Sequence, residues 1–388
     1  MFSDWLQGPY VYALYSSYGF SSAEIAQFFV AGFGSSMVIG TFVGSLSDKY
    51  GRKTMCLVFV ACYIASALTK LSHSYWVLMF GRVFSGVATS LLFSAFEAWM
   101  VCEHNKRGFS PALLSDTFSK ATAGNGIIAV LAGLTSSFLA DNFGYVVPFL
   151  FAIVPLTTLS IPILTSWTEN YGDNSVPVSQ TFKSAITFLK ASPSTLLLGL
   201  AQSTFEGAMY AFVFMWTPAL TATRTGAIKS LPFGVIFATF MVAVMVGSYT
   251  FSILTSSRPV ASMPYLIHTV SAVTMAGVAF FTQSELLTSV CFLAFEAMCG
   301  MFWPTYGTLR SQYIPEASRA AISNLFRVPL NAFVLGLLLN SGRLATGTMF
   351  LVCAGAHMCS LVMYSVFQRS QVAAASAAAK QAGKGKKE

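Results

Sequence analysis

GSLSDKYGRK, residues 44–53, sets one aspartate, two lysines and one arginine between an apolar run at 22–46 and another at 54–71. A helix needs about 20 mostly apolar residues to cross a bilayer. Both runs approach or exceed that length, so the charged stretch reads as a short loop at a membrane surface. Outward from it, further runs lie near 75–101, 117–140, 145–165, 195–220, 231–254, 263–283, 286–308, 321–341 and 346–368, eleven spans in all. Asp4 to Tyr15 is apolar and aromatic but too short to cross, like the outer end of a first helix whose inner part is absent. Barrel strands would be shorter and would alternate with a period of two. The expected class is therefore an all-α polytopic membrane protein.

Composition agrees. Of 388 residues 55% are hydrophobic and 9% charged, against about 25% charged in a soluble domain. So few charges cannot solvate a surface, and lipid becomes the solvent. The 35 phenylalanines and 15 tyrosines suit lipid-facing and interfacial positions. A net charge of +8 would suggest nucleic acid in a soluble protein; here it reads by location, and no nucleic-acid partner is expected. No basic region followed by a short apolar core marks a cleavable leader in MFSDWLQGPY.

Lysine and arginine sort to cytoplasmic loops. With the loop at 47–53 cytoplasmic and the sides alternating, sixteen basic residues fall on that side, including Lys49, Arg52, Lys53, Lys106, Arg107, Arg310 and Arg369. Four fall opposite: Lys70, Arg224, Lys229 and Arg343. Arg82 and Arg327 lie inside spans. The expected division is an N-terminal bundle at 1–165, a polar cytoplasmic linker at 166–194, a C-terminal bundle at 195–368 and a disordered cytoplasmic tail at 369–388. Trp5 to Pro9 precedes the second helix much as Trp216 to Pro218 precedes the eighth, and SAFEAW around Glu97 matches LAFEAM around Glu296. A duplicated six-helix unit is the sign of a transporter whose site lies between related halves.

GSLSDKYGRK matches the G-x-x-x-D-[RK]-x-G-R-[RK] loop signature of the major facilitator superfamily at every fixed position. Gly44 is expected to let helices approach and Gly51 to allow a tight turn. Asp48 can accept charge-assisted bonds, and Lys49, Arg52 and Lys53 hold the loop at its side. Gly81-Arg82 with Gly86 resembles the superfamily's GRxxxG pattern. DWLQGPYVYALY at 4–15, LLFSAFEAW at 91–99, Glu103-His104, WTENYG at 167–172, WTPAL at 216–220 and NLFRVPLNA at 324–332 resemble the eukaryotic molybdate-anion transporter family. That resemblance implies a twelve-helix importer of molybdate in the cell membrane. The incomplete first helix keeps a non-transporting membrane protein open as an alternative, beside a facilitator of another small solute such as a sugar or organic anion.

Ionisable groups within spans are costly and by default functional. Asp4, Gln7, Arg82, Glu97, Glu206, Glu296 and Arg327 are the candidates for substrate binding or coupling. Glu206 and Glu296 fall near mid-span, able to relay protons or to serve as paired structural charges. Arg82 can fork onto an oxyanion or brace helices through carbonyls. Arg327, two residues before Pro329, can gate, pack or bind. Glu97 lies toward one helix end, where pairing with a basic residue is the plainer role. Four carboxylates against two arginines admit an oxyanion only if some carboxylates carry protons, which burial favours; proton coupling would follow.

No HExxH, GxSxG or phosphate loop occurs, the four histidines are scattered, and the seven cysteines form no CxxC. Neither enzyme chemistry nor a metal or cofactor is expected. Gly32, Gly34, Gly40 and Gly44 fall on spacings that permit close helix approach.

Overall fold

A computed structural model of the chain describes residues 1–172, 178–223, 231–281 and 283–384. Arg224, Lys229, Lys386 and Lys387 of the charge count lie outside the described residues. The first segment is helical throughout: α1 (Phe2–Gln7), a 3-10 turn at Gly8–Tyr10 and α2 (Val11–Ser17). Pro9 supplies the irregularity, since it brings no N–H to the ladder.

Next come α3 (Ser22–Tyr50), α4 (Arg52–Thr69), α5 (Tyr75–Leu92), α6 (Ala95–Lys106), α7 (Pro111–Phe143), α8 (Val147–Phe151) and α9 (Ile153–Ser166). Ser21 and Glu24 form a reciprocal capping box that starts α3. Ser110 caps α7, with Pro111 in its first turn. Gly51, with φ +97°, is the one residue between α3 and α4; the stretch expected as a loop is otherwise helical, its first residues closing α3 and Arg52 and Lys53 opening α4. The span expected as one helix at 75–101 is broken at Phe93–Ser94. There Ser94 turns its hydroxyl back onto the Ser90 carbonyl at 2.6 Å, a bond that bends helices.

The linker holds a helix of its own, α10 (Val178–Ala191). It is followed by α11 (Pro193–Ala222), α12 (Phe233–Thr255), α13 (Met263–Phe280), α14 (Glu285–Tyr313), α15 (Glu316–Leu339) and α16 (Thr346–Lys384). The last helix runs on through the alanine-rich stretch that the sequence reading treats as disordered, because alanine is the strongest helix former.

Eleven stretches among the described residues are long and apolar enough to cross a membrane, as expected. Their outer surfaces are greasy: Trp76, Tyr249, Phe280 and Leu286 are 69–75% exposed. In water such a surface would aggregate; in lipid it is solvated. The chain is an integral, multi-pass membrane protein.

Contacts group the chain into two units. Unit 1 is Met1–Val178, Phe214–Val242 and Leu335–Ala345, and unit 2 is Ser179–Val213, Ala243–Val334 and Thr346–Glu388. In unit 1, Phe59, Tyr63, Leu91, Leu156 and Ile163 form a buried cluster joining α4, α5 and α9. Gly133 and Gly234 bring α7 and α12 backbone to backbone; a β-carbon on Gly133 would lie 2.8 Å from the Gly234 carbonyl oxygen. In unit 2, Phe205 of α11 stacks on Phe302 of α14 at 4.1 Å, with His357 of α16 set edge-on at 5.1 Å. Gly247 of α12 lies against the Ala297 carbonyl and Gly300 of α14 against the Val244 carbonyl. Lipid tails are as apolar as leucine, so such backbone contacts supply much of the cohesion.

Gly32 and Gly86 behave as the spacing suggests. Gly32 faces the Arg82 guanidinium, and Gly86 meets the Gly32 carbonyl and Ser35. Gly34 and Gly44 do not, for nothing lies within 4 Å of a β-carbon at either.

Candidate functional site

Unit 2 gathers a compact charged set. Glu206 of α11 accepts a hydrogen bond from the Gln202 side-chain amide, one turn back, at 2.6 Å. Arg310 of α14 and Arg327 of α15 both lie close enough to act on the Glu206 charge, and Tyr210 is close to both Glu206 and Arg327. Three helices thus place two cations about one carboxylate. Arg327 is exposed, and its carbonyl accepts from the Asn331 side chain at 2.6 Å. α15 is held there by Phe326, whose ring packs on Gly199 and whose carbonyl accepts the Ser203 hydroxyl at 2.7 Å. Glu296 stands apart on α14, 9% exposed and in no ion pair among the described residues.

Unit 1 spreads its candidates. Asp4 accepts a short bond from the Tyr63 hydroxyl. Gln7 is turned inward onto the Ser3 carbonyl at 3.1 Å. Arg82 donates Nε to the Phe28 carbonyl at 3.0 Å, reaches Ser85 at 3.5 Å and lies over the Phe29 ring. These contacts brace α5 against α3 and leave guanidinium donors over. Glu97 is exposed in a groove of about 740 Å³, lined also by Arg52, Cys102, Lys106 and Tyr171. It makes no ion pair among the described residues, and Arg52 turns to Asp48 instead.

The 44–53 motif is tied down on every side. Arg52 grips Asp48 through Nε and a terminal nitrogen at 3.2 and 2.8 Å, and donates to the Ala98 carbonyl. Lys49 lies over the Tyr50 ring. Lys53 donates to the Leu164 and Trp167 carbonyls. Residues 167–172, WTENYG, fold back over the motif as a strap. Glu169 caps the α4 N-terminus, accepting from the Lys53 and Thr54 amides at 2.8 and 3.1 Å and from the Thr54 hydroxyl at 2.7 Å. Its carboxylate is also favoured there by the helix dipole and sits where any β-carbon on Gly51 would fall. The Asn170 carbonyl accepts from the Arg52 amide, while its side chain donates to Glu103. Trp167 stacks on Trp99 at 3.6 Å.

A family described as sugar transporters, 12 TM, matches residues 1–293. The molybdate-anion transporter of Xenopus laevis is 37% identical over 379 residues, covering 93% of this chain and 81% of that protein. The molybdate-anion transporter of Xenopus tropicalis is 37% identical over 371 residues, covering 91% and 79%. The chain belongs to the molybdate-anion transporter family. Its fold is that of the major facilitators: the nucleoside transporter NupG superposes with a TM-score of 0.72 over 95% of this chain and 96% of that one. At 12% identity that likeness speaks of fold alone. Members of a transporter family carry solutes rather than catalyse reactions, as the absence of catalytic motifs implied.

Several residues that organise this family member gave no sequence signal. Arg310 reads as a surface-loop arginine, yet it shares Glu206 with Arg327. Glu169 reads as one acid in a polar linker, yet it caps a helix more than a hundred residues earlier. Lys70 reads as a loop lysine, yet it is 1% exposed. The WTENYG string was the available hint, since a linker need not carry two aromatic residues.

The strap yields a direct expectation. Glu169→Ala removes the acceptor from two backbone amides of α4, a loss of about 1–2 kcal/mol by analogy with helix caps. Hydrogen exchange at Lys53 and Thr54 should accelerate severalfold, with residues 167–172 becoming open to protease. Unchanged exchange would mean that the strap does not hold the motif.

Proposed function

We propose that this chain imports molybdate or a closely related tetrahedral oxyanion across the cell membrane, as a secondary transporter working by alternating access. Family membership supports the substrate class. The observation that carries it is the placement of Arg310 and Arg327 within electrostatic reach of Glu206, where arginine's planar forks suit an oxyanion. Arginines held within or beside spans are costly, and a neutral solute gives no reason for them. Glu206, flanked also by Gln202 and Tyr210, is the group we assign to proton coupling. The sixteen-to-four lysine and arginine asymmetry supports a cytoplasmic 44–53 loop, linker and C-terminus. Asp48, Gly51, Arg52 and Lys53, clamped by the strap, would then form a cytoplasmic hinge.

A sugar is the second reading, favoured by the description of the matching family. Uptake of labelled molybdate into cells expressing the chain, with sulfate and hexoses as competitors, separates the two. Molybdate uptake blocked by sulfate and untouched by hexoses is expected. Hexose uptake without molybdate uptake would replace the oxyanion reading, and uptake of neither would favour a non-transporting role. Coupling is read from the same assay: Glu206→Gln should flatten the pH dependence of uptake, and an unchanged profile would remove Glu206 from that role.

A further inference from the structure

Lys70 closes α4 at the end away from the 44–53 loop, about 27 Å along the helix axis. It is 1% exposed, and Arg82 of α5 is 9% exposed. Neither belongs to an ion pair among the described residues. Both converge on Tyr15 of α2, which is fully buried. The Lys70 ammonium donates to the Tyr15 hydroxyl at 2.7 Å and lies 5.1 Å from the ring centre, and Arg82 is close enough to act on the same phenol.

Other groups near the set are accounted for. The Tyr18 hydroxyl donates to the Lys70 carbonyl, and its ring lies against His73 at 4.1 Å. Phe28 of α3 offers only its carbonyl to Arg82. Glu24, at the start of α3, is engaged with Ser21. Asp4 reaches toward Arg82 only through Tyr63, to which it is bonded.

Two buried cations side by side without a counter-ion are an expensive arrangement. It relaxes in one of two ways: the amine releases its proton, or an anion settles against both. Burial, with the Arg82 guanidinium beside it, already holds the Lys70 ammonium well below its ordinary value. With Lys70 protonated, the donors left over in the set are two ammonium hydrogens beyond the one given to Tyr15 and the guanidinium hydrogens that Phe28 and Ser85 leave unused. A set of converging donors with a fork fits a tetrahedral oxyanion and not a cation.

We propose that Lys70, Arg82 and the Tyr15 hydroxyl form a second oxyanion site, contained in unit 1 near the end opposite the 44–53 motif. It rests on the oxyanion reading above and adds to it a first stop on the path, on the outer side in the proposed orientation. The sign follows from linkage. Anion binding raises the lysine's proton affinity, so binding takes up a proton between the lowered value of the empty site and about 10.4, the ordinary value. Affinity therefore falls as pH rises through that window.

The test measures labelled molybdate and sulfate binding to the purified full chain in lipid nanodiscs from pH 5.5 to 9, for wild type, Lys70→Met, Lys70→Arg, Tyr15→Phe and Glu206→Gln. Wild-type affinity should fall with pH, and Glu206→Gln should retain that fall in part. Lys70→Arg should bind with the fall flattened, and Lys70→Met should lose about tenfold at the low end. Lys70→Met or Lys70→Arg reproducing the wild-type profile would overturn the site. Should Lys70→Met not fold, Lys70→Arg and Tyr15→Phe carry the decision. A wild type that takes up molybdate while its binding ignores Lys70 sinks this site alone; a wild type that binds neither anion sinks the oxyanion reading with it.

Discussion

Arg327→Gln should lower molybdate affinity about ten- to a hundredfold, measured as the concentration giving half-maximal uptake in cells with matched surface expression. A hydrogen bond to a charged partner contributes about 1.5–3 kcal/mol, and each 1.4 kcal/mol is tenfold in affinity. Removing Arg327 also takes away one of the two cations that act on Glu206, so that an incoming dianion meets less positive charge. Arg327→Lys keeps the charge but loses the fork, and an intermediate loss is expected. Arg310→Gln should resemble Arg327→Gln, because both act on the same carboxylate from neighbouring helices. Full affinity in Arg327→Gln and Arg310→Gln would remove this cluster from the binding path. A loss in Arg327→Gln that Arg327→Lys fully restores would show that charge suffices without a fork.

Gly247→Leu should abolish folded protein. Any β-carbon at Gly247 runs into the Ala297 carbonyl, which is backbone and has no rotamer by which to yield. The contact is matched by Gly300 against the Val244 carbonyl, so α12 and α14 cannot relax apart at one position without losing the other. Overpacking a tight core costs about 1–3 kcal/mol even where side chains can give way. With backbone on both sides the cost exceeds that range. Gly247→Ala should already lower the melting temperature in detergent, while Gly34→Ala and Gly355→Ala, with nothing within 4 Å, should leave it unchanged. Wild-type yield and melting temperature in Gly247→Ala would show that the two helices are not held by this contact.

The eleven spans were legible because membrane crossing is decided locally. A run of about 20 apolar residues cannot be solvated by water whatever its neighbours do. Breaks inside spans were less so. The Phe93–Ser94 interruption depends on a hydroxyl choosing the Ser90 carbonyl, which composition does not announce. Glycine spacing promised close packing at Gly44 that the structure does not make, because spacing marks a stripe on a helix and not which helix meets it. The same ambiguity hid Gly133, Gly234 and Gly247, whose partners come from distant helices. Candidate charges were chosen by rarity, which picks out Glu206 and Arg327 but is blind to Arg310 and Lys70, because those lie near span ends where basic residues are common.

By itself the sequence determined the solvent, the number and approximate limits of the spans, and the family, because each is written in contiguous residues or in short motifs such as GSLSDKYGRK. Only the tertiary structure decided which groups come within reach of one another: Arg310 with Glu206, Glu169 with the first turn of α4, Lys70 with Tyr15 and Arg82. Coulomb energy and hydrogen bonding act over a few ångströms of space, while these partners stand tens to more than a hundred residues apart along the chain. Packing brings them together, and packing is a property of all the helices at once.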